Sequence, residues 1–347
     1  MASVKDMRTR VTLQEHGIIN THTTDFPGNY DGFDDTWSQE KFEEKFRVDI
    51  VQMDKVQMEF DMVGVDAAIA NALRRILLAE VPTMAIEKVF IYNNTSIIQD
   101  EVLAHRLGLI PIYADPREFD FRTAGDEEAK ENTTLQFDLK VKCIKNKSAP
   151  KNATDPDELF IHSKVTTELM KWIPIGNQAR KYGLQDIRPV EDDILIAKLR
   201  PGQVHELDLK MHVVKGIGKD HAKFSPVATA SYRLLPEITI TKPCENELAD
   251  KLMESFSDGV IKVTEDENGV RRAVVVNPRR DTCSREVFRH EDLKDRVKMS
   301  RIRDHFIFSV ESTGALSPDV LVCESLKVLV EKCRHFLSEL DSHCIDT

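Results

Sequence analysis

A helix pattern between Gly64 and Pro82 constrains this chain more than any other feature. Apolar residues recur there at spacings of three and four, which places them on one face of a helix. They are Val65, Ile69, Leu73, Ile76 and Leu77. Asp66 is placed to cap the start of the helix, and Pro82 ends the run. The pattern alone fits an ordinary buried helix as well as a helix that packs against a partner.

A second apolar stripe, from Pro318 onward, predicts a long C-terminal helix. Its members follow one another at alternating steps of four and three, as in a heptad pattern. They are Val322, Leu326, Leu329, Cys333, Phe336 and Leu340. Charged residues flank the stripe, which indicates a helix that buries a single seam. The spacing does not decide whether that seam belongs to the chain's own core or to a partner helix.

Composition disfavours several classes of protein. The chain has 347 residues, enough for two domains, and a formal net charge of -11. This charge is opposite to that of a protein that grips DNA over a wide face, so we expect little direct DNA contact. The apolar runs are short and broken by charged residues, which predicts neither a transmembrane span nor a secretory signal.

The residues that usually carry metal or catalytic chemistry show no recognisable motif. The six cysteines are scattered without a Cys-x-x-Cys pair, which argues against a zinc ribbon or an iron-sulfur cluster and is typical of reduced intracellular thiols. No His-Glu-x-x-His motif is present, and no nucleophile has a local base motif. We therefore expect no metal, no cofactor and no catalytic residue, and we expect His105 and His221 to be hydrogen-bonded structural residues.

The segment Lys215-Gly-Ile-Gly-Lys-Asp220 has some character of a phosphate-binding loop. Its glycines free backbone amides, and Lys219 is placed to meet a phosphate. The full P-loop pattern fails because it requires Gly where Val213 stands and Ser or Thr where Asp220 stands. A tight connection after a strand is the better interpretation. A P-loop-like nucleotide-dependent enzyme is the alternative from another class.

Alternation of apolar and polar residues predicts the strands. Residues 47–63 form two antiparallel strands that turn near Asp54, and their inward positions are Val48, Ile50, Val56, Met58, Phe60 and Met62. Further strands are predicted at 134–143 and 206–214, with a short helix at 100–107. Residues 146–157 have the composition of a mobile loop. Residues 1–45 are predicted to be a flexible acidic extension whose aromatic residues either stay in solvent or dock on a neighbour: Phe26, Tyr30, Phe33 and Trp37.

Three segments together resemble the alpha-type subunits of multisubunit RNA polymerases. They are Asn71-Ala-Leu-Arg-Arg-Ile-Leu-Leu-Ala-Glu-Val-Pro82, His105-Arg-Leu-Gly-Leu-Ile-Pro111 and Lys215-Gly-Ile-Gly-Lys-Asp-His-Ala-Lys-Phe-Ser-Pro226. The last two are similar to the archaeal and eukaryotic branch, and all three stand in the family's order and spacing. Within that branch the chain resembles the form shared by polymerases I and III. The polymerase II form carries a cysteine zinc loop in its inserted domain, where only Cys143 stands here.

The resemblance implies an α+β fold and a role in assembly. It implies a discontinuous alpha-type dimerisation domain, at 46–84 and 227–347, and an inserted mainly-β domain at 85–226. The Val65 helix and the C-terminal helix are then expected to pack against a small alpha-like subunit to form a heterodimer. Asn71, Arg74 and Arg75 are expected to lie close to the second-largest subunit.

The same resemblance implies what the assembly does. The heterodimer supports joining of the second-largest and then the largest subunit, which hold the active site, so this chain is expected to be a non-catalytic, nuclear subunit found in nucleolus and nucleoplasm. The polymerases served are those that transcribe ribosomal RNA, transfer RNA and other small RNAs. The polymerase II paralogue is the alternative within the class.

Overall fold

The described residues combine helices and strands in an α+β arrangement. The structure, a computed structural model, describes residues 4–21, 30–34, 36–123, 125, 128–150, 154–183, 186–199, 206–266 and 269–344. The helices are α1 (Val4–Thr9), α2 (Gln39–Lys45), α3 (Ala67–Ala79), α4 (Asp100–Gly108), α5 (Pro156–Leu159), α6 (Gln178–Lys181), α7 (Glu247–Glu254) and α8 (Pro318–Cys344).

The strands of the described residues differ widely in length. They are β1 (Arg10–Leu13), β2 (Ile18–Ile19), β3 (Arg47–Met53), β4 (Gln57–Val63), β5 (Thr83–Asn94), β6 (Ile112–Tyr113), β7 (Thr134–Lys142), β8 (Ile144–Lys145), β9 (Phe160–Ile161), β10 (Lys164–Thr166), β11 (Lys171–Ile173), β12 (Arg188–Pro189), β13 (Leu195–Lys198), β14 (Glu206–Gly216), β15 (Val227–Ile240), β16 (Ile261–Glu265), β17 (Arg271–Val275) and β18 (Val297–Ser312). The strands predicted at 134–143 and 206–214 and the helix predicted at 100–107 are confirmed to within two residues.

The chain divides into two compact units. The first contains the N-terminal segment up to Gln52, Glu59–Asn71 and Ser231–Ser309. The second contains Met53–Met58, Ala72–Ala230 and the segment from Val310 onward. Each unit is therefore discontinuous in sequence.

Most residues of a six-stranded sheet belong to the first unit. Its strand order is β2-β1-β18-β4-β3, and β15 also pairs with β18. On β4, Met58, Phe60 and Met62 are buried as predicted, and the Phe60 ring stacks on Phe308 with centroids 5.1 Å apart.

The neighbouring strand β3 differs from the sequence prediction in which of its residues are buried. It ends the strand order and is exposed along its whole length. Val48 and Ile50 are 47% and 59% exposed, and Val56 is also exposed, so the inward assignment is wrong for these three residues. The reason is that an edge strand can alternate in sequence without any layer of the same chain covering it.

The N-terminal extension is partly ordered, in contrast to the predicted flexible tail. Arg10 of β1 lies opposite Ile302 of β18, and Leu13 is buried. The Arg10 guanidinium lies 2.6 Å from Glu237, and the Ser300 hydroxyl donates to the same carboxylate at 2.9 Å. Strand pairing with the far end of the sequence left no local pattern from which to predict it.

The predicted aromatic anchors of the extension have different surroundings. The Arg8 guanidinium lies 4.2 Å from the centroid of the Phe33 ring, whereas Trp37 is 73% exposed and contacts Phe42. Tyr30 is half-buried. Phe26 lies outside the described residues.

A buried ionic cluster connects three segments within the first unit. Arg279 donates two hydrogen bonds to Asp61, at 2.7 and 2.8 Å, and one to Glu59 at 2.9 Å. His305 Nε2 lies 2.9 Å from the same Asp61 carboxylate. Burial lowers the pKa of Arg279. The hydrogen bonds and negative charges of Asp61 and Glu59 together raise it by more, so the pKa is raised overall. No local pattern of residues indicates this cluster, because its members stand far apart in the chain.

A four-stranded antiparallel sheet organises the second unit. Its order is β11-β7-β14-β5. One face packs on a large apolar core, to which α4 contributes Leu103 and Leu107. The strands contribute Leu135, Phe137, Leu139, Leu207, Leu209 and Met211. In the loop predicted at 146–157, residues 151–153 lie outside the described part of the chain.

Candidate assembly surface

Helix α3 begins and ends where the sequence predicts. The Asp66 carboxylate accepts a hydrogen bond from the Ala68 amide at 2.7 Å, which satisfies one of the free amides at the helix start. The Val81 amide donates to the Ile76 carbonyl at 3.1 Å, and Pro82 follows. The signature segment is therefore a capped helix that ends before β5.

Four of the five predicted apolar interface residues of α3 are already covered by this chain. Val65, Leu73, Ile76 and Leu77 are at most 5% exposed. They cannot form a free contact surface, because their side chains already fill the protein interior. Ile69 differs, since it is 49% exposed. The helical period identified the inner side correctly but could not separate it from a partner-facing position.

The predicted large-subunit contacts lie along α3 with unequal exposure. Asn71 and Arg74 are half-buried, and Arg75 is exposed. Successive helical residues point about 100° apart, as expected for Arg74 and Arg75. Arg75 thus presents a guanidinium that can pair with a carboxylate of another protein.

The glycine-rich loop after β14 packs against the C-terminal end of α3. The Lys219 amide donates to the Ala79 carbonyl at 2.8 Å, which caps the helix. A Cβ on Gly218 would lie 2.3 Å from the Leu78 carbonyl oxygen, so only glycine permits this approach. The loop amide that a phosphate needs is used inside the protein, which disfavours the nucleotide-binding hypothesis.

The signature segment that begins at His105 also contacts the loop after β14. The rings of His105 and His221 lie 6.2 Å apart, and His221 Nδ1 accepts a hydrogen bond from the Lys223 amide at 3.1 Å. Lys223 forms an ion pair with Glu87. The Thr83 hydroxyl donates to the Phe224 carbonyl at 3.1 Å. The three motifs therefore form one structural cluster in the second unit, and His221 is hydrogen-bonded as predicted.

The first part of α8 is packed into the second unit. Leu321 and Ser325, one helical turn apart, are fully buried. The Ser325 hydroxyl donates to the Val322 carbonyl at 2.7 Å, which allows a polar side chain in this position. Lys332 reaches Glu80, just after α3, at 2.8 Å. The predicted seam residues Val322 and Leu329 are half-buried.

The second part of α8 projects from the core. Every residue from 331 to 342 is exposed, although several are apolar. Among the predicted seam residues, Leu326, Cys333, Phe336 and Leu340 are exposed. Sequence reasoning missed Val330 and Leu337, which are 46% and 60% exposed and widen the stripe. We call Leu326, Val330, Cys333, Phe336, Leu337 and Leu340 the α8 stripe.

Other kinds of site have little support within the described ranges. No group of three His, Cys, Asp or Glu side chains is arranged to hold a metal ion. No described helix is both long and apolar enough to cross a membrane. The cysteines described in full are free thiols: Cys143, Cys244, Cys283, Cys323 and Cys333.

The sequence profile of the RNA polymerase Rpb3/Rpb11 dimerisation domain matches residues 59–333. The chain belongs to this family. It is 64% identical over 344 residues to a human protein, covering 99% of both chains, and that relative is named DNA-directed RNA polymerases I and III subunit RPAC1. It is 44% identical to the Saccharomyces cerevisiae protein of the same name, covering 94% of this chain and 96% of the relative.

Members of the Rpb3/Rpb11 family from another polymerase are more distant from this chain. The Dictyostelium discoideum protein named DNA-directed RNA polymerase II subunit rpb3 is 32% identical, over 82% of this chain and 91% of its own. The three segments that suggested an alpha-type subunit thus identified the family correctly. The last two segments indicated the archaeal and eukaryotic branch, and the missing cysteine zinc loop favoured the form whose relatives are named for polymerases I and III.

Proposed function

We propose that this chain is a non-catalytic assembly subunit of nuclear RNA polymerases I and III. The observation that carries the proposal is the α8 stripe, an apolar helix surface left exposed in a member of a dimerisation-domain family. An apolar stripe of this kind is typical of a protein interface. High identity to relatives named for polymerases I and III supports the choice of enzyme.

The partner that fits the stripe is a small alpha-like subunit. The stripe follows a heptad spacing, so a partner helix can pack along it with interlocking side chains. Ile69 of α3 is proposed as a further contact because it is exposed. Val65, Leu73, Ile76 and Leu77 support the surface from inside the chain.

The domain organisation expected from the family remains part of this proposal. Residues 46–84 and 227–347 are assigned to the dimerisation domain, residues 85–226 to the inserted domain and residues 1–45 to an N-terminal extension. The order in β1 concerns part of that extension. Proteolysis of the isolated chain, with mass spectrometry of the fragments, tests these boundaries.

Attachment of the second-largest subunit is assigned to Asn71, Arg74 and Arg75. The exposed Arg75 guanidinium is suited to a bidentate pair with a carboxylate across an interface. By this proposal the heterodimer forms first and the second-largest and then the largest subunit join it. The active site resides in those two subunits, and this subunit needs no cofactor.

Isolation of native complexes tests the proposed function. The endogenous protein is tagged, and the stoichiometric large subunits are identified by mass spectrometry. We expect the largest subunits of polymerases I and III, with one copy of the small alpha-like subunit, in nucleolus and nucleoplasm. Recovery of the polymerase II subunits would instead assign the chain to the paralogue.

A nucleotide titration tests the alternative from another class. The Gly218 loop caps α3 with the Lys219 amide, and the P-loop pattern is broken at Val213 and Asp220. We expect no saturable binding of ATP or GTP by the isolated chain. Saturable binding that is lost on Lys219→Ala would favour the P-loop-like enzyme.

A further inference from the structure

A groove within the second unit has a volume of about 680 Å³. Its walls come from strands β6 and β12, the turn after β6, the turn between β3 and β4, and the segment before α8. Because several of the lining residues are exposed, the groove opens to solvent. Its volume is in the range of sites that enclose a ligand. The groove shares no residue with the α8 stripe.

Backbone contacts fix the walls of the groove before any ligand binds. Tyr113 of β6 lies opposite Arg188 of β12, and the Val190 amide donates to the Pro111 carbonyl at 3.0 Å. Gly314 brings the segment before α8 against this pair of strands. Its φ is +96°, and a Cβ there would lie 2.5 Å from Cγ1 of Val190, so both the backbone and the close contact favour glycine. Because the walls are already ordered, a ligand loses little affinity to the ordering of the groove.

Much of the lining is apolar. Phe119 is buried, and its ring stacks on that of Tyr182 with centroids 5.9 Å apart. Ile187 and Ala315 are also buried, whereas Val56 is 49% exposed. A ligand that places an apolar side chain among these residues therefore removes apolar surface from water on both partners.

The carboxylates of the lining already accept hydrogen bonds within the chain. Asp115 lies 2.5 Å from Nη2 of Arg117, and Glu118 lies 2.5 Å from Nζ of Lys181. Asp186 accepts a hydrogen bond at 2.8 Å from the backbone amide three residues before it. These carboxylates are therefore occupied by donors of this chain.

Two cations of the lining differ, since Lys55 and Arg188 have no carboxylate partner in the part of the chain that the structure describes. Both are exposed. The Arg188 guanidinium lies 5.6 Å from the centroid of the Tyr113 ring and donates two long hydrogen bonds, of 3.3 Å, to backbone carbonyls. A guanidinium has five donors, so others remain for a carboxylate. The charge that the groove offers to a ligand is therefore positive, in a chain whose overall charge is -11.

We propose that the groove binds an acidic peptide segment of another subunit of the polymerase. An apolar side chain of that segment packs against Phe119 and Ile187, and its carboxylates pair with Lys55 and Arg188. A basic segment would place like charges together, and a purely apolar segment would leave both cations without partners, so both are less favourable. This contact rests on the proposed assembly function and is separate from the α8 stripe.

Site-specific photo-cross-linking in the native complex identifies what occupies the groove. Val56 is replaced by p-benzoylphenylalanine in the tagged chain, and the purified complexes are irradiated and analysed by mass spectrometry. We expect a cross-link to a segment of another polymerase subunit in which Asp or Glu residues flank an apolar residue. Ile144 is the matched control position, because it is also 49% exposed in the second unit but lies outside the groove. No cross-link to that segment is expected from position 144.

Charge variants of the isolated chain then test the two cations. A synthetic peptide with the cross-linked sequence is titrated by fluorescence anisotropy. We expect Lys55→Glu and Arg188→Glu each to weaken binding at least about 5-fold, because each replaces an ion pair by a like-charge contact. Lys171→Glu, at an exposed lysine of β11 outside the groove, is the control and is expected to bind normally. Lys55 lies in an exposed turn, so Lys55→Glu is expected to keep its melting temperature and decides the test if Arg188→Glu does not fold.

Four results would overturn the proposal. Polymerase subunits that co-purify without a cross-link from position 56 would exclude the contact and leave the assembly function standing. A cross-linked segment without net negative charge would exclude an acidic occupant, and so would unchanged peptide binding by both charge variants. Displacement of the peptide by inorganic phosphate at equal concentration would assign the groove to a small anion. Complexes that contain no polymerase subunit would contradict the proposed function itself, and this contact with it.

Discussion

At the residue scale, the least replaceable interactions are ionic and mostly buried. The pair of Arg279 with Asp61 illustrates this, because Asp61 also contacts His305 and has little access to water. A buried ion pair contributes little net stability, but removing one partner leaves an uncompensated charge. Sequence alone could not reveal the pair, since its members stand far apart in the chain.

Replacement of Arg279 is therefore expected to destabilise the protein strongly. Arg279→Ala leaves Asp61 unpaired and is expected to lower the free energy of unfolding by about 3 kcal/mol. Arg280→Ala, at the exposed neighbouring position, is the control and is expected to cost less than about 0.5 kcal/mol. Urea unfolding of both variants measures the difference, and equal stabilities would contradict the role of the cluster.

The Arg10–Glu237 pair is expected to make the free energy of unfolding depend on pH in the acidic range. The Arg10 hydrogen bond lowers the pKa of Glu237 below its ordinary value of 4.5. A lowered folded-state pKa stabilises the fold above the unfolded value, and this contribution is lost as the pH falls through the folded value. We expect Arg10→Gln to reduce stability at neutral pH and to flatten its decline below about pH 4.5. Unfolding curves across that range measure it, and an unchanged slope would exclude the linkage.

At the element scale, α3 depends on a glycine supplied from a distant loop. Gly218 approaches the Leu78 carbonyl too closely for any side chain. We expect Gly218→Ala to destabilise the chain by about 1–3 kcal/mol, because backbone must move to admit the methyl group. Gly17→Ala is the control, since nothing lies within 4 Å of a Cβ there. Similar melting temperatures for the two variants would argue against the close packing.

A variant of α3 tests whether heterodimer formation and attachment of the second-largest subunit depend on different surfaces. Because Arg75 is exposed, Arg75→Glu is expected to leave the fold and the heterodimer intact while weakening attachment of the second-largest subunit. Affinity purification with quantification of each subunit measures both steps. Loss of the heterodimer itself would contradict the assignment of Arg75.

The sequence predicted elements better than the surfaces they present. The bounds of α3 were readable because Asp66 and Pro82 act locally. On α8 the helix was predictable, but the predicted stripe omitted the exposed residues Val330 and Leu337, and it gave no indication that Ser325 is fully buried with its hydroxyl bonded to its own helix. Likewise, β3 alternates although it is exposed along its whole length in the described structure. Apolar periodicity predicts which residues share one face of a helix or strand. It does not predict whether that face is buried, because burial depends on which distant segment packs against it.

At the scale of the whole molecule, the family was recognisable from three short segments, and the polymerase I and III form was favoured by the missing cysteine zinc loop. The physical connection of those segments was not recognisable, since the loop at Gly218, the His105 segment and the end of α3 meet only in the folded chain. The central claim is that the α8 stripe is the surface for the small alpha-like subunit. Phe336, a stripe residue that is exposed in this chain, allows a test that does not disturb the core.

The most direct measurement is co-purification of the small alpha-like subunit with Phe336→Asp. Phe336 is 66% exposed in this chain, so the variant is expected to fold with an unchanged melting temperature while its affinity for the partner falls at least about 30-fold. Ile97→Asp, at an 81% exposed site outside α8, serves as the control and is expected to bind normally. Stoichiometric recovery of the partner with Phe336→Asp would contradict the account.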